Sequence, residues 1–127
     1  MERMKQFTRS LRHAFRGLAY ALQNEKNFQN ELIVAVLVII AMIYFEVIKG
    51  EAIVLLIVIM AVLIMELLNT AVERMVDILK PKIHPYAKLV KDLMAASVLL
   101  MSFLAIILGL IIFIPYIVQE VQAWKAI

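Results

Sequence analysis

The chain has 127 residues, 65% of them hydrophobic and 18% charged, with a mean hydropathy of +0.93 and a formal net charge of +3. One domain of that length cannot hide so much apolar surface from water, so the composition excludes a soluble globule and makes the bilayer the expected solvent. No cysteine is present, which excludes disulfides, thiol nucleophiles and thiolate metal sites.

The first predicted element, residues 5–23, is an amphipathic helix. Phe7, Leu11, Ala14, Phe15, Leu18 and Leu22 fall on one face, and Lys5, Arg9, Arg12 and Arg16 on another. Such a helix lies on an anionic inner leaflet, either as a topology anchor or as a grip on a phosphate or headgroup. This basic stretch has no continuous apolar core or small-residue cleavage site, so no cleavable signal peptide is expected.

Three membrane helices follow, at 28–48, 52–78 and 90–118. The first has only 14 uncharged residues, 32–45, so crossing requires residues 28–31 together with Val47 and Ile48, and Glu31 then sits near an interface. The second is apolar from Ala52 to Met65 and then admits Glu66 and Asn69. The third, 93–118, holds no charge in 26 positions. At about 1.5 Å per residue it exceeds a hydrocarbon core of roughly 30 Å. Pro115 lies near its far end, where a kink is tolerated.

Lysine and arginine set the orientation. Six precede the first span, one (Lys49) lies in the first loop, five in the second and one (Lys125) in the tail. The alternation predicts a multi-pass inner-membrane protein, with the N-terminus and second loop cytoplasmic and the C-terminus outside. Tyr44, Tyr116 and Trp124 then mark the outer interface, and Tyr20 and Tyr86 the inner one.

The stretch "MELLNTAVERMVD" carries the chemistry. Glu66, Asn69, Glu73 and Asp77 recur at helical spacing and share one face, with Thr70 beside them. Glu66 lies about 9 Å of helix rise before Val72, so the stripe starts inside the inner leaflet and emerges into cytosol. A hydrogen-bonding seam between helices would account for Asn69 and Thr70, and a solvated helix end for Asp77. Glu66 is harder to explain that way, because an intramembrane carboxylate is costly unless protonated, paired or metal-bound.

Polar groups gather at the same depth from "NEKNFQNE" (Asn24, Glu25, Asn27, Gln29, Asn30, Glu31) and "YAKLVKD" (Lys88, Lys91, Asp92). Hard oxygen donors suit Mg²⁺ bridged to a polyphosphate, and a lysine suits the phosphate. Taken singly, Glu25 and Glu31 also fit a polar helical turn, and Lys91–Asp92 a capping pair. His84, before Pro85, fits either a turn or a nucleotide contact, and His13 the surface helix. The eight methionines read as packing. No GxxxxGK[ST] loop or kinase-type glycine-rich loop occurs. Residue types and spacing thus leave two classes open: an enzyme with an acidic interfacial site, or an ion-handling or non-enzymatic membrane subunit. Residues 38–45 and 52–59 are apolar, which disfavours a polar path through the outer half of the membrane.

The stretch "ELLNTAVERMVD" resembles the signature of the small prokaryotic diacylglycerol kinases, a family that includes undecaprenol kinases. Glu66, Leu67, Leu68, Asn69, Thr70, Ala71, Val72, Glu73, Val76 and Asp77 satisfy it. "NEKNFQNE" precedes it and "HPYAKLVKD" follows it in the family's order. The likeness covers nearly the whole chain, and the "HPYAK" block resembles the Gram-positive branch, in which undecaprenol is the usual substrate.

The resemblance implies an all-α membrane protein with three transmembrane helices, an amphipathic N-terminal helix and a single domain over 1–127. It also implies a homotrimer with shared sites. That agrees with the expectation that three helices alone would not easily shield an acidic face from lipid. By the same resemblance the reaction is ATP- and Mg²⁺-dependent phosphorylation of undecaprenol, with diacylglycerol the alternative acceptor and no nucleic acid involved. Carried over by position, Glu66 is the general base and Asn69 orients it or the hydroxyl. Glu25 and Glu73 are the Mg²⁺–ATP ligands, and Lys91 and Asp92 bind nucleotide, with Lys91 on phosphate. His84, Arg9 and Arg12 are further nucleotide-site candidates, and Glu31 matches a second acidic position. In "KDLMAASV", Met94 stands where relatives often carry a small residue and Ala96 or Ser97 stands near a usual glycine, a departure that bears on close helix or nucleotide approach.

Overall fold

The computed structural model describes residues 1–79 and 85–126; they form helices and connecting turns, with no strand among them. The helices are α1 (Glu2–Asn24), α2 (Lys26–Tyr44), α3 (Lys49–Leu79) and α4 (Tyr86–Lys125). α1 is the amphipathic helix, and α2, α3 and α4 are long and apolar enough to cross a membrane. At 31 and 40 residues, α3 and α4 measure about 46 and 60 Å at the α-helical rise, so both project beyond a hydrocarbon core of roughly 30 Å.

α3 packs chiefly on α4 and less on α2, while α1 touches the rest of the chain mainly through α2. The small core comprises Ala35, Leu55, Val58 and Ile112, with Ala21 and Phe28 closing the joint between α1 and α2. Most of the apolar surface faces outward, including Phe7, Leu11, Phe15 and Leu18 on α1 and almost the whole of α4. Such a surface is stable only against acyl chains or other helices.

α1 and α2 are separated by a single extended residue, Glu25, at φ −108° and ψ 105°. Its N–H still donates to Ala21 O at 3.0 Å. The side-chain amides of Asn24 and Gln29 donate to Tyr20 O and Leu22 O, each at 2.9 Å, and the second of these satisfies a carbonyl in the last turn of α1 that lacks a helical partner. Two of the amides in "NEKNFQNE" therefore build the joint and do not face the acidic stripe.

α2 stops at Tyr44, short of the 28–48 span expected from the sequence, so Val47 and Ile48 lie outside it. The reason is a Schellman turn: Glu46 N–H donates to Ile43 O at 3.3 Å and Val47 N–H to Met42 O at 3.1 Å. Glu46 adopts φ 50° there, a conformation that favours glycine. Glu46→Gly is expected to raise stability by about 0.5–1 kcal/mol, read as a higher thermal unfolding midpoint in detergent; a lower midpoint would mean that the Glu46 side chain contributes more than its backbone costs.

The same end of the bundle is tied by aromatic groups. Tyr116 donates to Glu51 Oε2 at 2.7 Å and accepts from Ile48 N–H at 3.4 Å. Tyr44 donates to Glu120 Oε1 at 3.3 Å, and the Phe45 ring lies against Phe113 and Tyr116. These contacts fix α3 and α4 to each other at the end far from Glu66. α4 also begins before the 90–118 span read from the sequence, at Tyr86, which places Lys91 and Asp92 inside the helix and rules out a capping role for that pair.

Candidate active site

Along α3 the acidic stripe passes from buried to exposed. Glu66, Asn69 and Thr70 are 3%, 6% and 8% exposed, Glu73 is half-buried and Asp77 is exposed. Helical periodicity alone places them on one face, and packing against α2 grades their access to water. A single chain thus shields the intramembrane part of the stripe, contrary to the expectation that three helices would not suffice.

α2 supplies the opposite wall. The Asn27 side-chain amide stands close to Glu66, and Glu73 and Glu25 both lie within electrostatic reach of that carboxylate. Glu31 and Glu66 also interact electrostatically. Two acceptors in this cluster, Glu31 Oε2 and Asn69 Oδ1, are buried without a hydrogen-bond partner among the described residues. A buried unpaired acceptor costs about 1–3 kcal/mol, so its retention marks a place where a donor from a bound molecule would be welcome. Beside Glu31 and Asn30 opens an apolar cavity of about 480 Å³ between α2, α3 and α4, with Val38, Leu55, Val58 and Phe113 among its walls.

Just outside the buried cluster, two ion pairs cross between elements. Arg74 of α3 bonds to Glu25 through Nη2, with its guanidinium carbon 5.9 Å from the centre of the Tyr20 ring of α1. Lys91 Nζ of α4 lies 3.2 Å from Asp77 Oδ1 of α3. Glu73, which precedes Arg74 and Asp77 on α3, makes no ion pair among the described residues. Arg74 counts in the sequence only as one of several basic loop residues. Its place beside Glu73 was visible there, but its partner lies 49 positions away.

The structure therefore brings Glu25, Glu66, Asn69, Glu73 and Lys91 to one end of the bundle. Asp92 is exposed next to Lys91. Arg9 and Arg12 are exposed on α1 and form no ion pair among the described residues. His84 lies outside the described residues. Met94 is half-buried and Ala96 exposed, while the Ser97 hydroxyl donates to Leu93 O at 2.9 Å, so this turn of α4 closes on itself.

Among the described residues no three acidic or histidine side chains converge closely enough to hold a metal ion by themselves. Magnesium does not require that. It is commonly held by one or two carboxylates together with substrate phosphates and water. Glu25 and Glu73, both partly accessible and both flanking Glu66, offer a donor set of that kind.

Three membrane-length helices with a buried acid–amide cluster at one end, bordered by accessible acids and bases, define a multi-pass membrane protein equipped to act where lipid meets water. The sequence pattern described as prokaryotic diacylglycerol kinase matches residues 12–113. The chain belongs to that family and is a lipid kinase. It is 36% identical over 112 residues to the undecaprenol kinase of Bacillus subtilis (strain 168), covering 88% of this chain and 91% of that protein. It is 37% identical over 107 residues to a diacylglycerol kinase of Synechocystis, covering 84% of this chain but 61% of that protein's length. With the diacylglycerol kinase of Escherichia coli (strain K12) it shares 29% over 104 residues, covering 80% of this chain and 85% of that protein.

Proposed function

We propose that the protein transfers the γ-phosphoryl group of ATP to the hydroxyl of undecaprenol at the inner face of the bacterial inner membrane. The observation that carries this reading is the buried Glu66 carboxylate, 3% exposed, set among Asn27, Glu31 and Asn69 where an apolar cavity meets polar, accessible groups. A lipid alcohol needs such a place: chain in the apolar groove, hydroxyl at the carboxylates. Similarity to the Bacillus undecaprenol kinase over 91% of its length favours the isoprenoid alcohol. Diacylglycerol is the second acceptor, favoured by the names of the other relatives.

Transfer proceeds in line. The lipid oxygen attacks the γ-phosphorus, its O–H proton passes to Glu66, the bond from the γ-phosphorus to the bridging oxygen breaks, and ADP leaves. Asn69 holds the hydroxyl or the carboxylate in the attacking geometry. Lys91 turns from Asp77 to the phosphates, with Asp92 beside it and His84, Arg9 and Arg12 as further contacts on the nucleotide side. Glu25 and Glu73 would hold Mg²⁺ against the polyphosphate, where the ion neutralises developing charge. The topology has α1 and the α3–α4 connection in the cytosol and the end of α4 outside, in keeping with the excess of Lys and Arg on those segments. Three copies assemble with their sites at shared boundaries. The wide apolar surface of α4, with only Ile112 buried among its described residues, supports that assembly.

The test uses purified protein in mixed micelles with Mg²⁺, labelled ATP and equal amounts of undecaprenol and diacylglycerol. Undecaprenyl phosphate is expected as the main labelled product. Phosphatidic acid as the main product would reverse the acceptor order, and no labelled lipid from folded protein would overturn the reading.

A further inference from the structure

We infer that Arg74 is a polyphosphate-binding residue, held ready for the nucleotide by Glu25 and Tyr20. The inference rests on the kinase reading above and adds a residue to it.

The first ground is charge. Glu25, Glu31, Glu66, Glu73 and Asp77 bring five carboxylates to this end of the bundle, and among the described residues the cations ion-paired with them are Arg74 and Lys91. A nucleotide polyphosphate, itself anionic, would be repelled from such a cluster unless cations faced it.

The second ground is geometry. Arg74 and Lys91 stand at the same end of α3 as the half-buried Glu73: Arg74 is its chain neighbour, about 100° further round the helix, and Lys91 pairs with Asp77, which lies one turn beyond Glu73 on the same face. Arg74 contacts Glu25 through Nη2 alone, although a guanidinium carries five N–H donors, and its side chain is 53% exposed. The donors not used on Glu25 therefore have access to the aqueous side of the site. Planar, forked donors are the groups best matched to phosphate oxygens.

The third ground is pre-organisation. Glu25 is fixed at the extended joint between α1 and α2, with its side chain only 16% exposed, and the Tyr20 ring lies 5.9 Å from the guanidinium. Two elements thus hold a long, flexible side chain of a third. That lowers the entropy cost of presenting it to a ligand. When Glu25 turns to a cation carried by the polyphosphate, Arg74 keeps an anionic partner by taking a phosphate oxygen in its place. The pair is exchanged and neither charge is left alone.

The experiment measures binding of Mg²⁺–ATP, Mg²⁺–ADP and AMP to the full chain in detergent by titration calorimetry, for wild type, Arg74→Ala and Arg74→Lys, with thermal midpoints and lipid KM read alongside. Arg74→Ala is expected to weaken Mg²⁺–ATP binding by about tenfold or more, with a smaller loss for Mg²⁺–ADP and the least for AMP. Arg74→Lys should fall between, because it keeps the charge and loses the fork, and lipid KM should stay unchanged in both. Unaltered Mg²⁺–ATP affinity in Arg74→Ala with a lowered thermal midpoint would reduce the pair to a fastener between α1 and α3 and overturn the inference. Tighter binding would overturn it too, making Arg74 a competitor for Glu25. Failure of the kinase reading is separate: wild type would bind Mg²⁺–ATP yet phosphorylate neither lipid, while the Arg74 comparison still decided the phosphate contact.

Discussion

Glu66→Gln is expected to lower lipid phosphorylation by about 10²–10⁴-fold, the usual contribution of a positioned general base, while leaving Mg²⁺–ATP affinity close to wild type. Glutamine keeps the shape of the side chain and can still meet the Asn27 amide beside it, so the fold should survive. What it loses is the capacity to accept the hydroxyl proton. The measurement is single-turnover transfer from labelled ATP to undecaprenol at saturating lipid. Wild-type turnover would remove the base role from Glu66. In that case Glu31→Gln becomes decisive, because Glu31 interacts with Glu66 and has one buried oxygen without a partner among the described residues. Turnover lost in Glu31→Gln and kept in Glu66→Gln would move the proton acceptor one helix over.

Glu73→Gln should act on the other substrate. A contact to a charged group is worth about 1.5–3 kcal/mol, roughly 10- to 150-fold in affinity, so Mg²⁺–ATP binding should weaken by that order and the Mg²⁺ concentration for half-maximal rate should rise. Glu73 is a cleaner probe than Glu25 because it makes no ion pair among the described residues. Changing Glu25 also strips Arg74 of its partner and loosens the joint between α1 and α2. The pair Glu66→Gln and Glu73→Gln thus separates chemistry from nucleotide binding: the first should cut the rate at full occupancy, the second the occupancy itself. Unchanged nucleotide affinity in Glu73→Gln would count against its duty as a magnesium ligand.

The outward-facing apolar surface bears on how the site is completed. Because one chain already buries Glu66, Asn69 and Thr70, assembly is not needed to keep the acid out of lipid. What a neighbouring copy could contribute lies at the accessible side, where Glu73 is half-buried and Asp77 and Asp92 are exposed.

Much of the fold was legible in the sequence because its signals are local. A predominantly apolar run of 26 residues without a charge reads as a membrane-length helix, and apolar residues at helical spacing over 5–23 read as an amphipathic one. The stripe of Glu66, Asn69, Glu73 and Asp77 followed from the same periodicity, since residues three and four apart share a face whatever surrounds them. The end of α2 was less legible. Nothing in "MIYFEVIKG" announces a Schellman turn, because its left-handed position is held by Glu46 where glycine is usual.

Tertiary structure alone decided how the polar residues are used. Composition put Asn24, Glu25, Asn27 and Gln29 in one group; Asn24 folds back on its own helix, while packing sends Gln29 to Leu22 O, sets Asn27 beside Glu66 and joins Glu25 to Arg74. It also turned Lys91 from a neighbour of Asp92 into the partner of Asp77, 14 positions away. Periodicity fixes which residues share a helix face, since that depends on the helical twist alone. The partner a side chain meets depends on how separate helices cross, so a carboxylate at Glu25 and a guanidinium at Arg74 acquire their relationship only when α1, α2 and α3 come together.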